Sequence, residues 1–586
     1  MKIARCLTAV ATLFVTASVQ QRDFRSFPLH PSLVKGRATL VTATLSPVAV
    51  HAGVEVLRQG GTAADAAATV ALSEIAANLG SVVSYAGISQ LLYFDAKTEK
   101  VYALDAGWGT YAHETDPKSI PPTDISLITG QPAPTGAGVG ALGRQTLVPG
   151  FMAGIGAMHA RFGRLPFASL FQPAIWYAQH GVTISPAQAT LLQQRQPQLW
   201  RTSEGRRFAS MPDGSLPKAG DVLLQPDLAK TLEAVAAEGA AYMYTGGWAR
   251  SFVASVRAQG GRVTLEDLAR YKPVWRDPLS VPFGGATVFG PGEDSSGTCP
   301  TLEAINLLSS LHLETLGSYW RDPKAFKAYV YANRFALYGH YWPRVAAFEG
   351  AHGLVGDCRA RLTPQYAAAV SPHLASLLDA PEVSAEAGHD TQAIVVVDHW
   401  GNVAALLHSI NTANWGDTGI VVGGVPIADA AAIYRDTLVK IKPGEMLPDS
   451  MSPVIALKAG KPVLAVASTG VSSTPETTRL VGGVLAGGED LLSLMSAPPL
   501  LVNLNPFEPN QSLVNRAESI PTGAYDAQQL QAIAAEGVPV REESLLRVWA
   551  TRGTAVMVVI DQPSGAPRAV EVQNVSGFAE SDLMSP

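Results

Sequence analysis

The chain has 586 residues, 47% of them hydrophobic and 16% charged, with a formal net charge of −6. Its 54 glycines and 41 prolines form no long biased run, which excludes a collagen-like or disordered polymer. Division by about 150 residues suggests about four domains, although α/β architectures often run longer as one unit, and the mildly acidic balance offers nucleic acid no basic stripe.

Lys2 and Arg5 precede an uncharged stretch from Cys6 to Val19, with the small residues Ala17 and Ser18 near its end. Residues 1–20 therefore read as a secretory signal peptide. After position 20 no apolar run of about 18 residues appears, so the mature chain is not expected to span a membrane as a helix. Removal of the leader leaves Cys299 and Cys358. Their spacing leaves open whether they pair, and a core of this size needs no staple. With no CxxC or HExxH pattern, no metal and no cofactor are expected.

Ser46-Pro47 reads as a cap and first-turn proline, and Gly60-Gly61 stops the helix it opens. Thr62 caps a second, Ala-rich helix that ends at Gly80. Leu91 to Phe94 and Val101 to Leu104 form a hairpin around Lys97-Thr98-Glu99-Lys100. Val148-Pro149-Gly150 opens a helix from Phe151 to Phe162, and a mostly helical middle runs to about Tyr271. Pro282 to Phe289 reads as a strand, Thr301 to Leu311 as a helix, and Asp379 to Gly388 as a loop.

A strand-rich region follows. The stretch Thr391 to Val397 and the stretch Val403 to Asn411 flank Asp398-His399-Trp400-Gly401-Asn402. A three-residue loop with Gly401 left-handed suits a hairpin. If Asp398 faces Asn402, Thr391 lies directly opposite Ser409 on the same face. Two hydroxyls then meet just after a loop, although Thr and Ser are also common at sheet edges without any function. Pro462 to Ser468 is a further strand, and Thr469-Gly470 a strand-to-helix turn.

From about Ala38 to about Ser576 the chain resembles the γ-glutamyltranspeptidase family of N-terminal-nucleophile hydrolases. The resemblance rests on Ser46-Pro47 through Val54 to Ala67, on Val148-Pro149-Gly150 with Gly163-Arg164-Leu165-Pro166, and on Thr264 to Leu268. It extends to Ser295-Ser296-Gly297, Met451-Ser452-Pro453, and Thr391 with Ser409-Ile410-Asn411-Thr412. It implies an α+β fold: a four-layer αββα sandwich of two stacked antiparallel sheets flanked by helices. It also implies a cut between Asp390 and Thr391. Residues 21–390 would form a helix-rich large fragment and 391–586 a strand-rich small one, joined as a heterodimer. By resemblance Thr391 is the nucleophile, and its freed α-amine, with a pKa near ~8, is the base. Ser409, where the family usually has Thr, orients Thr391. Asn411 binds nearby main chain or substrate, and Gly470-Val471 takes the place of the Gly-Gly pair that supplies oxyanion donors.

The glutamate-binding residues depart from the family pattern. Asp105-Ala106-Gly107-Trp108-Gly109 replaces the segment with the carboxylate-binding Arg, and no Arg occurs between Arg58 and Arg144. Arg144 or Arg435 would have to fold into the site to replace it. Asp429 is the only acid where the α-amine partners belong, and it is off register. Asp449-Ser450 stands where the family has two serines. Gly107, Trp108, Asp429, Asp449 and Ser450 are therefore the candidate substrate-binding residues. A less charged acyl donor is expected, with Trp108 or Trp415 as stacking platforms if not core. The expectation is a secreted or periplasmic hydrolase or acyltransferase, with a small-molecule or peptide donor and water or an amine as acceptor. Two other readings remain: the same fold cleaving a carbon–carbon or other bond, and a non-catalytic binding protein on the enzyme scaffold.

Overall fold

The structure, a computed structural model, describes residues 30–123, 142–293, 295–379, 391–502, 516–544, 552–572 and 577–583. The expected leader, the loop after Asp379 and Asp390 itself lie outside the described residues. Two seven-stranded sheets, antiparallel throughout, form the centre. One runs in the order Phe578–Ser581, Leu40–Ala43, Thr391–Val397, Val403–Ser409, Ile88–Asp95, Lys100–Ala106, Val274–Arg276. The other runs Pro31–Lys35, Ala566–Val572, Thr554–Asp561, Lys461–Thr469, Val454–Lys458, Ala286–Gly290, Leu279–Phe283. Each sheet takes strands from both sides of residue 391, so the described parts interleave and do not divide into the several domains that length alone suggests.

Alternation along the strands builds three apolar layers. Ala393, Val395, Val397, Val403, Ala405 and Leu407 face the second sheet, against Ala465, Ala467, Val556 and Val558. Their neighbours Ile394, Val396, Ala404 and Leu406 face the helices Pro47–Arg58, Ala63–Ala77 and Phe151–Phe162. The helices Thr298–Ser310, Pro323–Tyr338 and Ser473–Leu485 cover the far side, against Val454, Leu464, Val466 and Met557. The result is the αββα sandwich. All fourteen residues of the central hairpin strands are buried, so these strands read as continuous apolar runs.

The Ala63–Ala77 helix is almost wholly buried. Its alanines let it lie close beneath the sheet. Thr62 and Asp65 close its first turn with a reciprocal capping box. Ser46 caps the helix before it, accepting from Ala49 N at 3.4 Å.

Two expectations change. Pro282 to Phe289 is a hairpin, because Gly284 and Gly285 both take positive φ (57° and 72°) and turn the chain between Phe283 and Ala286. Cys299 and Cys358, left open by spacing, form a disulfide with Cα atoms 5.6 Å apart. It pins the start of the Thr298–Ser310 helix to the short Cys358–Arg361 helix in the outer layer. The bridge closes a stretch of 59 residues. Replacing both cysteines by Ser should lower the unfolding free energy by about 2–4 kcal/mol, seen as an earlier guanidinium midpoint. An unchanged midpoint would mean that the bridge constrains nothing.

Candidate active site

The turn sets the geometry. Asp398 N donates to Asn402 O at 3.1 Å, and Gly401 has a φ of 85°. The Asp398 carboxylate accepts from Trp400 N, Asn402 N and Asn402 Nδ2, and from Ala63 N at the start of the buried helix. The register that follows pairs Thr391 with Ser409, the pairing the turn predicts. Thr391 Oγ1 donates to Ser409 Oγ at 3.2 Å. Thr391 is 7% exposed and Ser409 1%, so this is a desolvated contact at the end of the inter-sheet layer.

Ser409 Oγ also accepts from Asn411 N at 2.8 Å. Asn411 has a φ of 52°, a left-handed conformation that Asn tolerates better than most residues. Its amide hydrogens go to Tyr434 OH at 2.9 Å and to Asp449 Oδ2 at 2.8 Å. The other Asp449 oxygen accepts from Met451 N at 2.7 Å. Burial pushes the Asp449 carboxyl up to about 6, against the downward pull of the Met451 and Asn411 hydrogen bonds.

Three distant segments close on this group. Ser295 Oγ lies 3.0 Å from Asp449 O and 2.9 Å from Met451 O. A Cβ on Gly297 would stand 1.9 Å from Ser450 O, so only glycine lets the backbones meet. A Cβ on Gly87 would stand 2.4 Å from Ser409 O. Gly470 (φ 84°) follows the Lys461–Thr469 strand and precedes the Ser473–Leu485 helix, beside half-buried Val471. Val454 pairs with Val466 in antiparallel register. The Thr469–Gly470 end of its strand therefore lies at the Met451 end of the sandwich, which Asp449 joins to Asn411.

The other candidates are placed differently. Gly107 N donates to Asp105 Oδ1, and Trp108 O accepts from Leu447 N, which ties this segment to the approach to Asp449. Trp108 is packed in the inter-sheet core and Trp415 in a side cluster with Leu79 and Leu192, so neither presents an open face. Asp429 is fully buried. One of its oxygens accepts from Thr412 Oγ1 at 2.6 Å, and the other has no hydrogen-bond partner among the described residues. Ser450 is exposed. Arg144 is committed to Glu114 at 2.8 Å, and Arg435 to Ile120 O at 3.3 Å.

Sequence reading missed Tyr434, Glu74 and His408, and also a cavity of about 500 Å³ beside Asp105 and Leu447. Lys272, Arg276 and Glu445 line that cavity. The cations arrive because the Val274–Arg276 strand pairs with Ala103–Asp105. The only signal for this in the chain was the short run Val274-Trp275-Arg276.

A model of the family described as gamma-glutamyltranspeptidase matches residues 49–566. The glutathione hydrolase proenzyme of Pseudomonas aeruginosa is 30% identical over 493 residues, covering 77% of this chain and 81% of that protein. Acylase ACY 1 proenzyme of Pseudomonas sp. strain SE83 is 27% identical over 446 residues, covering 73% and 76%. Among solved structures, the cephalosporin acylase of Bacillus halodurans superposes with a TM-score of 0.75 at 18% identity, covering 95% of this chain and 98% of that one.

Unfolded, Asp449 would have a carboxyl pKa near ~3.9, below its folded value of about 6. Between those pH values the folded chain holds a proton that the unfolded chain has released. The stability contributed by this group therefore falls as pH rises through that window. Asp449→Asn should lack this loss of roughly 3 kcal/mol, measured by denaturation at a series of pH values. Equal slopes for both chains from pH 4 to pH 6 would contradict a carboxyl raised by burial.

Proposed function

Because the chain belongs to the γ-glutamyltranspeptidase family, and is thereby an N-terminal-nucleophile hydrolase or transferase, we propose that Thr391 is its nucleophile, exposed by self-cleavage after Asp390. The observation that carries this reading is the 3.2 Å contact of Thr391 Oγ1 with Ser409 Oγ at the first residue of a central strand.

In the precursor the Thr391 hydroxyl attacks the Asp390 carbonyl carbon, and the C–N bond to Thr391 breaks. That break frees the Thr391 α-amine, and water hydrolyses the resulting ester, which restores the Thr391 hydroxyl and releases the Asp390 α-carboxylate. That amine, with a pKa near ~8, then takes the hydroxyl proton when Thr391 attacks a donor carbonyl. Ser409 holds the Thr391 oxygen in line, and Asn411 fixes Ser409 through its backbone N–H. The tetrahedral oxyanion is met by the backbone N–H groups of Gly470 and Val471. The α-amine returns the proton to the leaving amine, and water or an amine acceptor releases the acyl group.

The donor is proposed to differ from a γ-glutamyl group. Arg144 and Arg435 are bound elsewhere, and Asp429 is fully buried and bonded to Thr412. Gly107 and Asp449 are buried as well, which leaves exposed Ser450 as the proposed donor-binding contact. The charged cavity at Lys272 and Glu445 leaves room for a polar distal group of donor or acceptor. An exported chain, secreted or periplasmic, fits the Cys299–Cys358 disulfide.

Purified protein should separate into two fragments, the smaller beginning at Thr391, while Thr391→Ala remains one chain. A wild type that stays intact under every maturation condition would sink the assignment. Ser409→Ala should slow both maturation and turnover by about tenfold or more, as expected when a nucleophile loses its orienting group. Processed enzyme should turn over a γ-glutamyl anilide far more slowly than neutral acyl anilides. Efficiency of about 10⁴ M⁻¹s⁻¹ or better on the γ-glutamyl compound would refute the altered donor.

A further inference from the structure

His408 immediately precedes Ser409 and, by strand alternation, points to the opposite face, toward the Ala63–Ala77 helix. It meets Glu74 there: Nε2 lies 3.2 Å from Oε2, and both side chains are 0% exposed. Its ring packs against Phe151, with centroids 5.4 Å apart. The second imidazole nitrogen, Nδ1, has no hydrogen-bond partner among the described residues. A buried ionisable pair costs desolvation that an apolar pair of similar volume avoids. The chemistry proposed for Thr391 does not use it.

The pair sits where the sheet leaves the nucleophile half supported. Of the strand Thr391–Val397, Leu40–Ala43 pairs with Ile394–Val397 and stops short of Thr391 to Ala393. Beyond that point Thr44 continues the contact: its N donates to Ala393 O, and its Oγ1 accepts from Ala393 N, both at 3.0 Å. Thr44 Oγ1 also reaches Gln392 Oε1, and Gln392 stands directly opposite His408 in the ladder. The chain then departs into the Pro47–Arg58 helix. Glu74 Oε1 accepts from Leu45 N at 3.3 Å at that departure, while Oε2 holds His408. One carboxylate thus ties the departing chain to the strand that carries Ser409.

We infer that Glu74 and His408 are a positioning pair for the nucleophile: they fix the backbone at Gln392–Ala393 and at His408–Ser409, and so the approach of Thr391 Oγ1 to Ser409 Oγ. This rests on the assignment of Thr391 as nucleophile. Neither side chain touches the reacting atoms, so their effect is on rate through geometry.

Self-cleavage of the full chain provides a readout that needs no substrate. Glu74→Gln, His408→Gln and the double variant are compared with wild type for maturation rate and melting temperature. His340→Gln serves as the control, since it breaks a similar pair, His340 Nε2 to Glu303 Oε1 at 2.8 Å, in the other helical layer. Either single variant should mature at least about tenfold more slowly, and the double no more slowly than the slower single, because the two act as a unit. The control should lose melting temperature yet mature within about twofold of wild type. If Glu74→Gln does not accumulate, Glu74→Asp, which shortens the reach, should show the same slowing. Wild-type rates in the single variants overturn the inference, as does slowing no greater than the control's at equal loss of melting temperature, or a double variant that multiplies the two effects. A wild type that never matures overturns the nucleophile assignment and this inference with it; one that matures beside equally fast variants overturns this inference alone.

Discussion

Asp398 holds the hairpin turn to one register. Its carboxylate collects two backbone N–H groups and an amide from its own turn and a fourth donor from the first residue of the buried helix. The side-chain period along a strand is two, so a slip of one residue would send Thr391 to the helix face and His408 toward the second sheet. Both faces of this hairpin are buried in different apolar layers, and a slip would therefore disturb both. The contact between Thr391 and Ser409 depends on that constraint, and so does every other bond in the site.

The floor of the site is assembled at a cost. Asp449 is a buried carboxyl whose charged form is disfavoured, and Asn411 sits in a left-handed conformation. Each is held by the other and by segments brought from far along the chain. Ser295 and Gly297 clasp the Asp449–Met451 backbone, and Gly87 lets another backbone touch Ser409. Such strain persists only where the surroundings over-determine it, and here the surroundings converge on a pair of hydroxyls. Behind them, Glu74 and His408 supply the support that the neighbouring strand stops short of giving.

Local chemistry was readable in the chain wherever it was local. The caps at Ser46 and Thr62, the helix from Phe151 to Phe162 and the hairpin register set by the turn at Gly401 follow from residues within a few places of each other. The four layers came from the family resemblance, since periodicity in fully buried strands cannot tell one face from the other. The Gly284-Gly285 turn was lost inside an apparent single strand because the apolar alternation continues on both sides of it. The pairing of Cys299 with Cys358 and the meeting of Glu74 with His408 depend on contacts across 59 and 334 positions, which no local pattern encodes. Trp108, a stacking platform only if not core, is core, and its residue type alone does not decide between the two.

The most direct check is covalent labelling of matured protein with phenylmethanesulfonyl fluoride, followed by peptide mass mapping. One adduct on the Thr391 oxygen, at the first residue of the small fragment, is the result these contacts require. A label on Ser409 in place of Thr391, or a matured protein whose Thr391 stays unmodified while other hydroxyls react, would contradict them.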